Sequence, residues 1–353
     1  IMIIASIGVF FGAITSSGMM EVARKGIFNP EMFMFQDIMF IFMAVMITDI
    51  LLLDVFNTLG MPTSTTVSIV FELLGAAVVI SLIKISQNDT ESFNAIWNYI
   101  NYEKASMIIF GILLSVVVAF SVGALVQFVS RLIYSFNFEK RPNYINALFG
   151  GFAITAITYF IIIKGMKGTP FYVDVKHLIE YNTLLIITGS FLLWTLISQL
   201  LITFFNINIL KLIIGIGTFS LAMAFSGNDL VNFVGVPIAA WNSYQVWETS
   251  GISATTFSMG VLAQKVPSNV FLLLFAGAIM VVTLWTSSKA RNVIKTGIDL
   301  SRQGEGHEKF KPNPLSRLVV RASMGINSGL SYIIPAKTIA FVDSKFQKPV
   351  IEL

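Results

Sequence analysis

Two short polar motifs stand inside otherwise apolar stretches of this 353-residue chain. The first is Pro62-Thr63-Ser64-Thr65-Thr66. Proline suits the first turn of a helix, and the backbone N–H groups after it, together with the hydroxyls of Ser64, Thr65 and Thr66, make a donor-rich, partly positive terminus. Such a terminus can bind an anion. The alternative interpretation is an ordinary Ser/Thr N-cap, because the same residue types are typical of a helix start.

The second motif is Ser226-Gly227-Asn228-Asp229-Leu230-Val231-Asn232, which lies in a long apolar run. A charged Asp is costly at membrane depth, so it is a functional candidate for which a partner is expected. Gly227 permits a break or a close approach, and Asn228 and Asn232 stand one helical turn apart. Amides can hold the oxygens of an anion, and a carboxylate with backbone carbonyls can hold a hard cation. The motif therefore indicates a cation-coupled anion site, with a hydrogen-bonded clasp between helices as the alternative.

Three further acids, Asp49, Asp54 and Glu72, lie in apolar surroundings. Asp54 and Asn57 are three residues apart and share a helical face just before the Pro62 motif, so we predict that they bind a cation or hydrogen-bond to that motif. Glu72 is either a proton or cation group or a neutral buried acid, and a structural role is the alternative for both Asp54 and Glu72. Asp49 falls on a different face from Asn57, and no role is predicted for it.

The composition places these motifs in a membrane. Hydrophobic residues make up 55% of the chain and charged residues 12%, with a mean hydropathy of +0.79, whereas soluble domains have about a quarter charged residues. The chain has no cysteine, and its two histidines, His177 and His307, lie outside the apolar runs. Neither a nucleophile elbow nor a P-loop occurs. We therefore predict no enzyme activity and no cofactor, and a net charge of +4 located mainly in loops does not indicate nucleic acid.

Apolar windows of about 20 residues, the length that crosses a bilayer, must position the motifs. The windows run over 1–20, 38–60, 105–130, 144–163, 183–205, 209–240 and 268–288. Arg131, Lys140 and Arg141 predict a cytoplasmic loop, which places the connector that holds Asp89 and Glu91 outside the cell.

The connector at 21–37 contains Arg24 and Lys25, which favour the cytoplasmic side. The helix at 38–60 then crosses outward, and the apolar segment 61–86 must enter and leave on the external side. We therefore predict a re-entrant hairpin at 61–86, and such irregular backbone usually lines a pathway.

At these residues the chain resembles the PiT family of inorganic phosphate transporters, in its long bacterial branch. The segment Thr48–Val78 is similar to the first hairpin of that family, and Ala23-Arg24-Lys25-Gly26-Ile27 matches its basic helix-end motif. The segment Ser226–Asn232 is similar to the family signature G-A-N-D-V-A-N, with Ser-Gly in place of Gly-Ala. The resemblance covers most of the apolar region and fades after Lys289.

The resemblance implies an all-α polytopic membrane protein with an inverted-repeat transporter fold, a re-entrant helical hairpin and a broken transmembrane helix. It implies phosphate contacts from the hairpin residues and phosphate or cation contacts from the signature. The predicted phosphate ligands are Ser64, Thr65, Thr66, Asn228, Asp229 and Asn232. The predicted cation ligands are Asp229, Asp54 and Asn57.

The resemblance also predicts the partners and the location. We expect inorganic phosphate, sodium or a proton, and the lipid bilayer as partners, with bound sodium and a homodimer as open alternatives. The expected location is the bacterial inner membrane, as a multi-pass protein. Only one copy of each motif is visible, so we expect the protein to continue beyond Ile1 and Leu353, and a piece of this length to carry half of each site.

Five parts are predicted along the chain. They are transmembrane helices of the first repeat at 1–60, the re-entrant hairpin at 61–86, connecting transmembrane helices at 105–205, transmembrane helices of the second repeat with the signature at 209–288, and a basic cytoplasmic loop or the start of a soluble domain at 289–353. Two other functions remain open. A transporter of another oxyanion such as sulfate would use the same chemistry, and a structural or regulatory membrane subunit would use the polar residues only to clasp helices.

Overall fold

A computed structural model describes residues 1–15, 26–135, 141–162, 179, 181–263, 270–301 and 310–346. The described chain is helical almost throughout. The helices are α1 Met2–Thr15, α2 Phe35–Thr58, α3 Thr65–Gln87, α4 Tyr102–Tyr134, α5 Asn143–Phe160, α6 Thr183–Phe205, α7 Ile209–Phe225, α8 Val231–Ser250, α9 Val270–Thr286, α10 Ser288–Leu300, α11 Pro314–Ile333 and α12 Ala336–Phe346. Shorter helical turns cover Pro30–Met32, Phe93–Ala95, Ile96–Tyr99 and Met259–Ala263, and a π-helical turn, Ser226–Leu230, joins α7 to α8.

Within the described residues, α2, α3, α4 and α6 are long and apolar enough to cross a membrane. The helices α9 and α10 pass the same test together, but they are bent by 71° at the break between them. Every apolar window that the sequence predicts contains at least one helix. The prediction of an all-α membrane protein is therefore confirmed.

The chain divides into two compact units. Ile1–Phe110 and Asn146–Gly297 form the first unit, and Gly111–Ile145 with Ile298–Leu353 form the second. In the second unit the last turn of α12 lies against the end of α4, because Phe346 stacks on Phe128 with their ring centroids 5.6 Å apart. The hydroxyl of Ser135 also donates to the carbonyl of Lys345 at 2.7 Å. The predicted division into five parts stays a prediction.

A helical hairpin in the first unit is formed by α2 and α3, which pack against each other. Gly60 lies at its tip with φ of 63°, a left-handed conformation that glycine adopts at little cost. At the opposite end of the hairpin, Lys84 near the end of α3 and Asp37 in the first turn of α2 form an ion pair of 2.6 Å. This pair ties the two arms together far from the tip.

The arms of the hairpin differ from the prediction, which placed both of them within 61–86. The structure has one uninterrupted helix there, Thr65–Gln87, and the other arm is α2. The sequence of α3 has no proline and a single glycine, Gly75. Nothing in it therefore breaks the helix, and the only strong breaking signal is the Gly60–Pro62 turn before it.

The connectors at the far end of the hairpin form a layer that we call the end cap, residues 26–34, 93–101 and 251–263. Phe28 pairs with Ile100 in an antiparallel bridge, and the amide of Asn29 donates to the carbonyl of Tyr99 at 2.8 Å. The amide of Met259 donates to the carbonyl of Phe33 at 3.0 Å. Phe28, Phe33 and Met259 are fully buried. The end cap therefore closes α2, α3 and α8 at the end opposite the hairpin tip.

The end cap also corrects the predicted topology, which placed the connectors 21–37 and 87–104 on opposite sides of the membrane. Their described parts are hydrogen-bonded to each other, so they lie at the same end of the hairpin. Arg24 and Lys25, which favoured the cytoplasmic side, lie outside the described residues. The predicted topology is wrong because it takes α2 as one membrane crossing and 61–86 as a separate hairpin. In the structure, α2 and α3 run out and back as a pair.

The helix α1 packs closely on α7 and α9 through small residues. A Cβ atom at Gly12 would overlap the backbone of Met223, and one at Gly277 would lie 2.7 Å from the Cβ of Ala13. Small residues allow this close approach of helices in a membrane. The helix α1 therefore supports α7 just before the π-helical turn.

We predict that Gly12→Ala destabilises the protein, since the added methyl group meets backbone atoms of Met223 that cannot rotate away. Overpacking of this kind costs about 1–3 kcal/mol. The matched control is Gly75→Ala on α3, where the added Cβ meets nothing within 4 Å and replacing a helical glycine is favourable. Thermal unfolding of the purified protein measures both, and equal unfolding temperatures for the two variants would contradict the close packing of α1.

Candidate functional site

The hairpin tip carries the first polar motif at the N-terminus of α3. Ser64 is the N-cap residue, and its Oγ accepts a hydrogen bond from the backbone N–H of Val67 at 3.4 Å. Thr65 and Thr66 form the first turn, and both are partly buried. The N-cap interpretation of Ser64 is therefore confirmed. It is compatible with an anion site, because the remaining first-turn N–H groups still make the terminus partly positive.

The second motif interrupts the helix that contains it. The helices α7 and α8 are joined without a gap by the π-helical turn Ser226–Leu230. Such turns are rare inside α-helices and are frequent at functional sites. The hydroxyl of Ser226 donates to the carbonyl of Val9 on α1 at 2.7 Å, and Ser226 is fully buried. Ser226 of this signature therefore anchors the interruption to α1.

The two motifs meet although they are far apart in the sequence. The side-chain amide of Asn232, in the first turn of α8, donates to the Oγ1 of Thr66 at 2.9 Å. Asn232 is 9% exposed, so water competes little for this bond. The structure thus brings together one predicted ligand from the hairpin and one from the signature.

Asn228 and Asp229 lie in the π-helical turn between Ser226 and Leu230. Their side chains are outside the part of the chain that the structure describes. Their backbone lies one helical turn before Asn232. Their predicted contacts with phosphate or a cation stay predictions.

The structure gives Asp54 a partner that the sequence did not indicate. Its carboxylate forms an ion pair with the ammonium group of Lys289 at the start of α10. Both side chains are substantially exposed. Asn57 lies one turn further along α2, is partly buried, and its carbonyl accepts the backbone N–H of Gly60 at 3.1 Å. Asp54 therefore faces a cation of the protein itself, and Asn57 helps to close the hairpin turn.

Asp49, which received no predicted role, lies in a buried polar cluster between the hairpin arms. The Oγ of Ser68 is 3.0 Å from Asp49 Oδ1 and 2.6 Å from Glu72 Oε1. Asp49 is 1% exposed. A hydroxyl has one hydrogen to donate, so the second contact requires a proton on a carboxyl group or a bound cation. The signal that could have revealed the cluster is the pairing of α2 with α3 about the Gly60 turn, which places Asp49 opposite Glu72.

We predict that Asn232→Ala and Thr66→Val each lower the free energy of unfolding by about 0.5–1.5 kcal/mol, the usual net value of one hydrogen bond. The double variant should lose less than the sum of the two, because both changes remove the same bond. Thr218→Val is the control, since that hydroxyl bonds only to Ile214 within its own helix. Additive effects in denaturant unfolding would contradict the contact between the motifs.

We predict that Ser68→Ala destabilises the protein, because it leaves two carboxyl groups facing each other inside the hairpin without their shared donor. Adding Glu72→Gln to this variant should restore part of the loss, since the new amide can donate to Asp49. Ser115→Ala is the control, as Ser115 is exposed and donates only within α4. Thermal unfolding measures all three, and a second substitution that makes the protein still less stable would overturn the predicted sharing.

Comparison with known proteins gives a family and a fold. A model of the phosphate transporter family matches residues 1–297. A solved structure described as "The sodium-dependent phosphate transporter" is similar with a TM-score of 0.53 and 20% identity, over 84% of this chain and 67% of that chain. A comparison with curated protein sequences gives no match.

These findings confirm the predicted resemblance to phosphate transporters, the transporter fold and the assignment to a class that is not enzymatic. The match ends close to the point where the sequence resemblance was expected to fade. The chain belongs to the phosphate transporter family.

Proposed function

We propose that the protein carries inorganic phosphate across a bacterial inner membrane by alternating access, with a cation as the coupled ion. The observation that carries this proposal is the hydrogen bond from Asn232 to Thr66. It joins the helix interruption to the N-terminus of the hairpin arm, and these are the two features that suit an anion. Membership of the phosphate transporter family supports phosphate as that anion.

The phosphate ligands that we propose are donors from both motifs. Phosphate cannot enter hydrocarbon without its hydration shell unless polar groups replace the lost water contacts. The hydroxyls of Ser64, Thr65 and Thr66, the first-turn N–H groups of α3 and the amides of Asn228 and Asn232 would supply these contacts. The partly positive N-terminus of α3 would add electrostatic attraction.

A coupled cation follows from the charges at such a site. Asp229 would place a carboxylate beside an anion, and two like charges in a poorly hydrated site repel strongly. A cation held by Asp229 would remove this repulsion, with Asn57 as a further oxygen ligand. Asp54 would join these ligands only after separating from Lys289. The solved structure of similar fold is described as sodium-dependent, which supports sodium over a proton.

The alternating movement that we propose occurs at the hairpin tip. The end cap holds α2, α3 and α8 together through buried aromatic residues and backbone hydrogen bonds. The tip is joined to the signature through the side-chain bond of Asn232. Phe28 and Phe33 of the end cap are fully buried, so in this proposal the tip opens while the end cap stays closed.

We predict that Thr65→Val and Asp229→Asn each abolish phosphate uptake into proteoliposomes and leave membrane insertion intact. The first change removes a donor and the second removes the charge that balances the coupled cation. Thr255→Val is the matched control, since the short segment Ser253-Ala254-Thr255-Thr256 repeats the hydroxyl pattern in the end cap. Radiolabelled phosphate uptake is compared with a sodium gradient, with a proton gradient and with sulfate as competitor.

Each result decides between functions. Sodium-driven uptake that sulfate does not suppress supports a sodium-coupled phosphate transporter, and uptake driven only by a proton gradient assigns the coupling to protons. Suppression by sulfate indicates a broader oxyanion transporter. Normal phosphate uptake in both variants would contradict the proposed phosphate site. The hydrogen bond between Asn232 and Thr66 would then serve only to hold two helices together.

A further inference from the structure

The second compact unit contains an open apolar groove that includes none of the proposed phosphate or cation ligands. It lies between the middle of α4 and the N-terminal half of α11, and it has a volume of about 670 Å³, within the range of about 300–1,000 Å³ of small-ligand pockets. Its apolar lining consists of Phe120, Leu315, Val319, Val320 and Met324.

The surroundings of the groove are those of a membrane surface. The most apolar part of α4 is exposed throughout, and this helix has the highest hydropathy of the candidate spans among the described residues. Phe120, which lines the groove, is 61% exposed. Such a surface suits contact with hydrocarbon. The groove therefore opens onto the region that lipid acyl chains occupy.

Two cations lie on α11 beside the residues that line the groove, although neither lines it. Arg317 and Arg321 precede Met324 by seven and three residues, so at 3.6 residues per turn all three share one side of the helix. Both arginines are exposed. Arginine binds phosphate oxygens through paired N–H donors. The N-terminus of α11, where Asn313 Oδ1 accepts the backbone N–H of Ser316 at 2.7 Å, adds a partly positive end beside them.

We infer that this groove binds an anionic phospholipid, with an acyl chain along Phe120 and α11 and the phosphate headgroup at Arg317 and Arg321. A hydrocarbon-facing groove with two arginines on one edge is complementary to a molecule that has an apolar chain and an anionic head. A zwitterionic lipid would fill the groove but would lack the net charge that the arginines attract. The groove shares no residue with the proposed phosphate and cation ligands, so the inference does not depend on the proposed transport.

The test uses the purified protein in detergent with dioleoyl phosphatidylglycerol as the probe. Dioleoyl phosphatidylcholine has the same chains with a zwitterionic head, and inorganic phosphate is the head without chains. Thermal unfolding during lipid titration gives an apparent Kd, and native mass spectrometry counts the bound lipids. We expect phosphatidylglycerol to bind more tightly than phosphatidylcholine, and inorganic phosphate to leave the apparent Kd for phosphatidylglycerol unchanged.

Arg317→Gln with Arg321→Gln should weaken phosphatidylglycerol binding roughly 25-fold, from about 1 kcal/mol per basic residue at an anionic lipid surface. The matched control is Arg291→Gln with Lys295→Gln, an exposed basic pair at the same spacing on α10. Equal weakening by both pairs would overturn the site, because it would show only general attraction between charges. Equal binding of the two lipids by the unaltered protein would overturn it as well.

The acyl-chain part of the site is tested by filling the groove. Val319→Trp should weaken binding of both lipids, because the indole occupies the space of the chain. Leu318→Trp is the control, since Leu318 is exposed on α11 but does not line the groove. If Val319→Trp leaves lipid binding unchanged and instead abolishes self-association of the protein, the groove binds a second copy and the lipid proposal is wrong. Competition by inorganic phosphate for the same arginines would also overturn it in favour of a free-anion site.

Discussion

The structure depends on one constraint, that polar backbone at membrane depth needs a partner inside the protein. An α-helix satisfies its own backbone groups, so apolar helices can face lipid on every side. The π-helical turn Ser226–Leu230 and the hairpin tip depart from regular α-helix and must be supported from elsewhere. The close approach of α1 gives this support to the π turn. Gly8 and Gly12 let α1 touch α7, and the hydroxyl of Ser226 donates to the carbonyl of Val9 on α1.

The same constraint explains which parts of the fold the sequence could predict. Runs of apolar residues long enough to cross a bilayer leave the chain few alternatives to helix, so each predicted window contains one. The pairing of α2 with α3 could not be predicted from hydropathy, since both arms are long and apolar enough to cross alone. The predicted topology therefore rests on a few loop charges. The bridge between Phe28 and Ile100 shows that this topology is wrong.

The candidate site was predictable in its motifs and not in its contacts. The Thr66 hydroxyl is predictable as part of a donor-rich helix N-terminus, and the Asn232 amide as a donor to anion oxygens. The partner of Asp54 was not predictable, because Lys289 is more than 200 residues away and nothing local points to it. The role of Asp49 does not follow from its own helix, where it lies on a different face from Asn57. The face that matters is set by α3, where Ser68 and Glu72 lie opposite it.

The distribution of strong and weak contacts along the hairpin connects the fold to a movement. The end cap buries Phe28, Phe33 and Met259 completely and adds backbone hydrogen bonds between distant segments. The ion pair between Lys84 and Asp37 lies at the same end. Among the described residues, the hydrogen bond from Asn232 to Thr66 joins the tip to the signature, and Thr65 and Thr66 are partly buried. The hairpin therefore has a fully buried core at the end cap, whereas the hydrogen bond between Asn232 and Thr66 lies at the opposite end, where the proposed anion would bind.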